Sequence, residues 1–458
     1  MKKNLLIIML GIFYTGIQAQ TASWTVVYNI FQAKCASCHS GSSPSASLDL
    51  SAASGTVYTS IINKTPVNPA AASRGDKVVF PGDGHRSFLL RKCQNGLDSD
   101  NGIIPAEGNV MPDDGTTLSK IEIETIRQWI LYGAKQTGVA VDTALIGKYY
   151  RGKKRDYTTV LAAPAAGKGF QIHYGPIMLA PKTEVENFLK FDPHFSDSME
   201  VIRLDLRINK KTSHHFIIYK FAPGDETNFA NGLRPLNNKP GLSSMENAWQ
   251  TPGDAVLPAG TAYRWAKNAF LDLNLHCFNT DPDSVVMTDA RVNIYTQPYG
   301  TASAVMYSEL PGNNGFAVPN GNVDVKIIKE QTWPKLTNMY IWRLSSHTHK
   351  YGVDYDIYKR KSTGGKDTTQ LFEGFYNFTY SFNQGFYDWE DPAVRTFNPL
   401  YSINPKDGLY AEAHYKNNGP APVTVGYTTS DEMMLFFINY TVKMPTTSGL
   451  NNVPYENS

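Results

Sequence analysis

The sequence predicts a multidomain protein in which a small helical domain is followed by two all-β antiparallel sandwiches. Its 458 residues are too many for a single hydrophobic core. The stretch 118–133 carries apolar residues at helical spacing, which predicts an α-helix. After residue 168, β-type runs alternate with Gly, Pro, Asn and Asp turns without a long helical period. The predicted boundaries are 1–19 for a signal peptide, 20–138 for the helical domain, 139–160 for a linker, 161–306 and 307–446 for the two sandwich lobes, and 447–458 for a tail.

The N-terminus has the organisation of a secretory signal peptide. The basic pair Lys2-Lys3 precedes an apolar run from Leu5 to Phe13, and Gln18-Ala19-Gln20 matches a cleavage site. No later apolar segment reaches the roughly 20 residues that span a bilayer, so no stable membrane insertion is expected. The net charge of +2 does not favour a nucleic-acid partner. We expect an exported protein, either periplasmic or extracellular.

Two of the four cysteines lie in the motif Cys35-Ala36-Ser37-Cys38-His39. C-x-x-C-H is the attachment signature of haem c, in which both thiols add to the porphyrin and the adjacent histidine binds iron. A disulfide between Cys35 and Cys38 is the alternative, which the following histidine disfavours. The motif therefore predicts a covalently bound haem with His39 as an iron ligand.

The sixth iron ligand is expected later in the same region. Met111 is the first choice, because a thioether ligand suits a haem that transfers electrons. His85 is the substitute if Met111 is a simple core residue. Cys93 and Cys277 could form a disulfide only by joining two domains, and the sequence leaves them unassigned.

Residues 20–138 resemble the small monohaem cytochromes c over almost their whole length. The resemblance implies an all-α cytochrome c domain that moves electrons and does no bond chemistry itself. The motifs that carry it are, in order, the C-x-x-C-H sequence, Pro81-Gly82-Asp83, Met111-Pro112, Trp129-Ile130 and Gly133-Ala134.

A pair of histidines in the second half of the chain has the spacing of a metal site. His347 and His349 stand two apart in a run that reads as β, and residues i and i+2 of a strand share one face. Both imidazoles can therefore reach one ion, and imidazole suits copper, zinc, iron or nickel. Two solvent-facing histidines on a strand are the alternative.

Three further histidines precede this pair on predicted strands. His214 and His215 open the run 216–219, and adjacent residues of a regular strand face opposite ways. Both can bind one ion only at a strand end or at a β-bulge. His276 lies in the middle of a strand and could complete a three-histidine site, with a buried, hydrogen-bonded histidine as the alternative.

Met433 follows Asp431-Glu432 near the end of the chain. Its thioether is a soft ligand that favours Cu(I) over zinc. Most methionines on apolar strands are core residues, and that remains the alternative for Met433.

Together these motifs resemble the type II copper monooxygenases, the family of peptidylglycine α-hydroxylating monooxygenase and dopamine β-hydroxylase. The resemblance covers most of residues 160–445 and implies two jelly-roll-like lobes that hold two copper ions. It implies that His214, His215 and His276 hold the electron-donating copper, and that His347, His349 and Met433 hold the catalytic copper that binds dioxygen. The motifs that carry it are Ser213-His214-His215-Phe216, Leu275-His276, His347-Thr348-His349 and Thr429-Ser430-Asp431-Glu432-Met433.

The chain departs from this family in two places. Peptidylglycine enzymes carry an arginine two residues before the H-x-H pair, where this chain has Ser345, and Arg343 lies two residues earlier. A family cysteine that follows the ligand methionine is replaced by Met434. The substrate, small-molecule or peptide-like, is therefore left open.

The sequence leads to the hypothesis of an exported copper monooxygenase with its own haem c domain, which takes electrons from a redox protein or ascorbate. Two alternatives are a haem–copper electron-transfer or small-oxide reductase protein without hydroxylase activity, and a copper-binding or carbohydrate-binding sandwich without turnover.

Overall fold

A computed structural model describes residues 22–98, 101–236, 243–374, 389, 391–428 and 430–446. The predicted signal peptide (1–19) and tail (447–458) lie outside the described residues. Among the described residues, no helix has both the length and the apolar character needed to cross a membrane.

The N-terminal region, residues 22–151, contains the helices. Helix α5 (Lys120–Leu131) is the one that the apolar spacing of 118–133 predicts. Its first turn is closed by a capping box, in which Ser119 Oγ accepts from the Glu122 N–H and the Glu122 carboxylate accepts from the Ser119 N–H. Trp129 of α5 is fully buried and stacks on Trp24, with ring centroids 5.3 Å apart. The described helices are α1 (Ser23–Lys34), α2 (Ser54–Ile61), α3 (Pro69–Ser73), α4 (Phe88–Cys93), α5 (Lys120–Leu131) and α6 (Thr143–Arg151).

The rest of the described chain forms β-strands joined by turns. In chain order the strands are β1 (Lys154–Tyr157), β2 (Gly169–Leu179), β3 (Thr183–Phe191), β4 (Met199–Ile208), β5 (Ser213–Phe221), β6 (Gly232–Pro235), β7 (Ser243–Trp249), β8 (Gly253–Val256), β9 (Thr261–Trp265), β10 (Leu271–Asn279), β11 (Val285–Pro298), β12 (Ala304–Glu309), β13 (Ala317–Val318), β14 (Asp324–Gln331), β15 (Met339–Thr348), β16 (Gly352–Arg360), β17 (Lys366–Glu373), β18 (Val394–Ile403), β19 (Leu409–Lys416), β20 (Val423–Thr424) and β21 (Met434–Thr441).

One ten-stranded sheet runs through the whole β part. Its order is β1-β11-β4-β9-β12-β21-β15-β18, with β2 paired to β11 and β8 paired to β4. The sheet β6-β3-β10-β5-β7 packs on its first half and encloses a core that includes Ile172, Phe216 and Leu273. The sheet β14-β19-β16-β17 packs on its second half around Ile341, Tyr355 and Phe436. Each smaller sheet and the half of the large sheet on which it packs form a β-sandwich, and we call these the first and the second sandwich.

The expectation of a separate small all-α domain is wrong. The protein is mostly β, and the six described helices are short, at 5 to 12 residues each. Helices of this length enclose little apolar surface of their own, and most helical stability comes from packing. The hydrophobic core of the N-terminal region is accordingly completed by Met178 of β2 and by Val285 and Met287 of β11. The helices therefore share a core with the large sheet.

The predicted linker, 139–160, contains regular structure. It includes helix α6 and strand β1, and β1 pairs in parallel with β11 from Lys154 opposite Val285 onward. The contact between the N-terminal region and the first sandwich is close elsewhere too. A Cβ placed on Gly232 of β6 would lie 2.3 Å from the backbone nitrogen of Gly133, so neither position has space for a side chain.

Candidate metal centre

A β-bulge lets two adjacent histidines face the same region. Strand β5 pairs with β10 so that His215 lies opposite His276 and Ser213 lies opposite Cys277, which leaves His214 without a partner residue in the register. An extra residue in one strand is what defines a bulge, and it turns a side chain away from the regular alternation. The rings of His214 and His215 are 5.5 Å apart. The structure thus contains the bulge that a shared site for both residues requires.

The second pair of histidines comes from the other sandwich. His347 lies on β15 opposite Leu435 of β21, and His349 follows just beyond the end of the same strand. Their ring centroids are 5.3 Å apart, as expected for residues i and i+2 on one face.

All five histidines meet in one place, which we call the cleft group: His214, His215, His276, His347 and His349. The ring of His214 is 5.1 Å from that of His276, 5.6 Å from that of His347 and 5.7 Å from that of His349. Ligand nitrogens lie within 4.8 Å of one another in two sets of three, and His214 belongs to both. The ligand sets that the sequence assigned to two coppers are therefore contiguous, and His214 lies between them.

Burial favours the uncharged form of three of these imidazoles. Burial first, and the neighbouring histidines second, lower the pKa of His214 and of His347 well below the ordinary value. Burial lowers the pKa of His349 to about 4. A neutral imidazole is the form that binds a metal ion, so near neutral pH these groups are ready to act as ligands.

Two ring nitrogens of the cleft group are buried and have no hydrogen-bond partner in the described part of the chain. They are Nε2 of His214 and Nδ1 of His276. Burying a polar atom without a partner is costly, and a metal ion would remove that cost. Copper suits this set chemically, because imidazole is among its preferred ligands. The residues present therefore fit the copper that the sequence motifs imply.

Two glutamates orient the histidines of the first sandwich. His276 Nε2 lies 2.7 Å from a carboxylate oxygen of Glu184, and His215 Nε2 lies 3.3 Å from Glu186. His215 Nε2 is also 2.9 Å from the amide oxygen of Asn274. A metal-binding histidine commonly donates its other N–H to a carboxylate, which fixes the ring and its tautomer. Sequence reasoning did not select these residues, although the i, i+2 spacing of Glu184 and Glu186 on β3 was a usable signal.

Glu432 fastens the two strand ends that carry His349 and Met433. Its carboxylate accepts from the backbone N–H groups of His349 at 3.1 Å, Tyr351 at 2.8 Å and Met433 at 3.1 Å. Burial raises the pKa of Glu432 to about 7, against the opposing effect of these three donors. His349 Nδ1 is held by the Asp431 carbonyl at 3.1 Å, which leaves Nε2 for a metal ion.

Met433 lines the same large cleft as His215 and His347. The cleft has a volume of about 1910 Å³ and lies between the two sandwiches, with Glu186, Trp249 and Arg343 also in its wall. The Arg343 guanidinium donates to the amide oxygens of Asn439, at 2.8 Å, and of Asn247. The cluster of imidazoles therefore lies on the wall of a space that is large enough for a substrate.

The haem-attachment motif follows the end of α1. His39 Nδ1 lies 2.9 Å from the Ser45 carbonyl, an arrangement that makes Nδ1 the donor and leaves Nε2 for iron. Cys35 is half-buried and Cys38 is exposed, and all four cysteines are free thiols in the described chain. Burial raises the pKa of Cys35 to about 11. Met111 is half-buried, and its N–H donates to the Lys92 carbonyl at 2.7 Å. The orientation of His39 is therefore compatible with the haem that the motif predicts.

The two unassigned cysteines lie in different cores, Cys93 in that of the N-terminal region and Cys277 in that of the first sandwich. They do not form the disulfide that the sequence left open. His85, the substitute iron ligand, contacts His173 and Asp98.

Comparison with known proteins adds little. No family model matches the chain, and no curated protein matches it. A turret protein with a triple jelly-roll fold from an archaeal virus aligns at 8% identity with a TM-score of 0.18, and the chain spans 60% of that protein's length. Peptide N-glycanase F aligns at 11% identity with a TM-score of 0.27 over 60% of this chain and 98% of the glycanase. Such scores carry no argument about function.

Proposed function

We propose that the protein is an exported, copper-dependent monooxygenase that hydroxylates a C–H bond of a substrate in the cleft. One observation carries the proposal. Histidines from two sandwiches come together beside a large cleft whose wall also includes Met433, and two of their ring nitrogens lack another partner among the described residues. The balanced reaction is R–H + O2 + 2 electrons + 2 protons → R–OH + H2O, and it needs both an electron source and a site that activates dioxygen.

The protein supplies six ligands in a fixed arrangement. His214, His215 and His276 would hold one copper, and His347, His349 and Met433 would hold the other. Copper at these positions would supply one-electron storage between Cu(II) and Cu(I) and the activation of dioxygen. Glu184 and Glu186 orient their imidazoles, and Glu432 keeps His349 and Met433 at neighbouring strand ends.

Electrons would enter through a haem c that Cys35, Cys38, His39 and Met111 would hold. The Ser45 carbonyl orients His39 for this role. Because the N-terminal region shares its core with β2 and β11, it is held against the first sandwich, which carries His214, His215 and His276. An external redox protein or ascorbate would reduce the haem.

The first test is the ratio of copper to iron in the mature, haem-containing chain, after copper loading and removal of loosely bound metal. Two adjoining three-ligand sets predict about two coppers per iron, falling to about one in His347→Ala. His194→Ala, at an exposed histidine far along the chain from both sets, is the matched control and should keep the full ratio. A ratio of one or less that His347→Ala does not change would contradict the proposal and favour a haem–copper electron-transfer protein.

A second test follows the electrons. Reduced haem should reoxidise faster in air when copper is loaded than when it is absent, and this difference should disappear in His347→Ala. A hydroxylated product that forms in proportion to oxygen uptake, across a panel of small molecules and peptides, separates hydroxylation from simple electron transfer.

A further inference from the structure

A second cluster of ligand-type residues lies away from the cleft, where the N-terminal region meets the large sheet. We call it the boundary group: His85, Asp98 and His173. Their ligand atoms lie within 4.8 Å of one another. His85 Nε2 is 2.5 Å from His173 Nδ1 and 3.3 Å from a carboxylate oxygen of Asp98. Three separate segments of the chain thus bring two imidazoles and one carboxylate to a single point.

We propose that the boundary group binds a divalent transition-metal ion, with zinc as the best-suited ion, and that the ion ties the N-terminal region to the first sandwich. His85 and Asp98 belong to the N-terminal region, and His173 lies on β2. Two histidines and one carboxylate, with a water as fourth ligand, form a common zinc set. Apart from His85, the substitute iron ligand, the site uses none of the residues assigned to copper or haem.

The inner histidine is already held in the form that a metal ion needs. His173 Nε2 lies 2.7 Å from Asp289, whose side chain is fully buried, and its own side chain is only 4% exposed. The other oxygen of Asp289 accepts from the N–H and the hydroxyl of Thr159, at 2.7 and 2.9 Å. Because the Nε2–H of His173 donates to the Asp289 carboxylate, Nδ1 of His173 carries a lone pair that points at His85. A carboxylate behind the histidine is the usual support for a metal ligand.

The space beside the group is large enough for an ion and little more. A cavity of about 20 Å³ is lined by His85, Asp98, Gln94, Arg127 and Gly175. A single water needs about 10–15 Å³ of this kind of space. Tetrahedral zinc with bonds of about 2.0 Å would separate the two ring nitrogens by about 3.3 Å. The two ring nitrogens are 2.5 Å apart in the structure, so binding would require them to separate by less than a further 1 Å.

The test is zinc stoichiometry of the full haem-containing chain, with cobalt(II) as a coloured substitute. His85→Gln and Asp98→Asn should each bind one zinc fewer than the wild type and should lose one visible cobalt band. His194→Gln, a histidine-to-glutamine change at an exposed site, is the matched control and should bind the wild-type number. His347→Ala, in the cleft group, should keep the cobalt band of the boundary group. Asp289→Asn should weaken zinc at this site by about 10–100-fold without removing a ligand.

Unchanged zinc stoichiometry and an unchanged cobalt spectrum in both His85→Gln and Asp98→Asn would overturn the proposal. A changed haem spectrum in His85→Gln, with zinc binding unaffected, would overturn it in another way, because His85 would then be an iron ligand. Both variants alter partly exposed residues, so folding should be retained, and the intact haem spectrum verifies this. The copper-to-iron ratio should stay at its wild-type value, which separates this result from failure of the proposed function.

Discussion

The cleft group and the boundary group are both built from histidines, but their surroundings differ. The cleft group consists of five imidazoles, and two of them, His215 and His347, line a space of about 1910 Å³ together with Met433. The boundary group includes a carboxylate ligand and adjoins a space of about 20 Å³. A set of imidazoles beside a large space suits chemistry on a substrate, whereas a space for little more than one ion has no room for a substrate. The comparison shows that the volume of the space beside a set of ligands limits its possible functions as much as the identity of the ligands does.

The largest expected effect comes from His214, which belongs to both three-histidine sets of the cleft group. His214→Ala should reduce copper from about two per iron to about one and abolish oxygen-dependent product formation, because the copper at His214, His215 and His276 would lose a ligand. Zinc at the boundary group should be unaffected. A copper-to-iron ratio that stayed at about two, with unchanged affinity, would show that His214 does not bind copper.

Glu432→Gln should separate positioning from ligation within the cleft group. The glutamine NH2 group must face at least one of the three backbone N–H groups that now donate to Glu432. Because two donors then face each other and a hydrogen bond is lost, the free energy of unfolding should fall by about 1–3 kcal/mol. Copper affinity at His347, His349 and Met433 should fall with it. Denaturant unfolding and copper titration measure the two effects.

The control for this change is Glu330→Gln, at an exposed glutamate paired with Arg360, which should cost less than about 1 kcal/mol. Equal effects from the two variants would show that Glu432 does not hold the strand ends together.

Gly232→Ala should weaken the packing between the N-terminal region and the first sandwich, the two parts of the chain that supply the boundary group. The new Cβ would lie 2.3 Å from the Gly133 nitrogen and push the N-terminal region away from β6. Gly224→Ala is the matched control: the backbone φ is +89° there and +90° at Gly232, but no atom lies within 4 Å of its Cβ. The strain of a positive φ is therefore common to both, and the clash should add about 1–3 kcal/mol at Gly232 alone.

Thermal unfolding and zinc titration check this prediction. Gly232→Ala should have the lower midpoint temperature and the weaker zinc binding, while copper per iron stays the same. Similar midpoints for the two variants would mean that the contact between Gly133 and Gly232 contributes little.

The smallest effect concerns Asp356, in a third cluster on the second sandwich that contains carboxylates but no histidine: Asp354, Asp356 and Glu373. Burial, then the charges of Asp354 and Glu373, raise the pKa of Asp356 to about 6 from 3.8. Between these two values the unfolded chain loses a proton that the folded chain keeps, so stability falls as pH rises from about 4 to about 6 and is then constant.

Asp356→Asn should flatten this part of the curve of unfolding free energy against pH. Asp367→Asn, at a partly exposed carboxyl whose pKa is lowered by the backbone N–H of Thr369, should not flatten it. A wild-type free energy of unfolding that does not fall between about pH 4 and about pH 6 would contradict the prediction. Protonation of Asp356 would then not affect stability.

Local patterns in the sequence determined a large part of this molecule. The helix at Lys120–Leu131, the strands from residue 169 onward, the shared face of His347 and His349, and the C-x-x-C-H motif all follow from spacing over a few residues. Such patterns are readable because backbone geometry fixes which neighbours share a face. Even the need for a bulge at His214 followed from the alternation of a strand.

Only the tertiary structure decided what these pieces do together. His85 and His173 meet across 88 residues, and Glu184 reaches His276 across 92, through strand register and packing that no local spacing encodes. The position of His214 between both ligand sets depends on how the two sandwiches pack against each other. The prediction of a separate helical domain was wrong for the same reason. Its short helices complete their hydrophobic core with side chains from strands that are distant along the chain. Chain-local rules fix faces and motifs, whereas contacts between distant segments depend on which apolar surfaces the whole fold must bury.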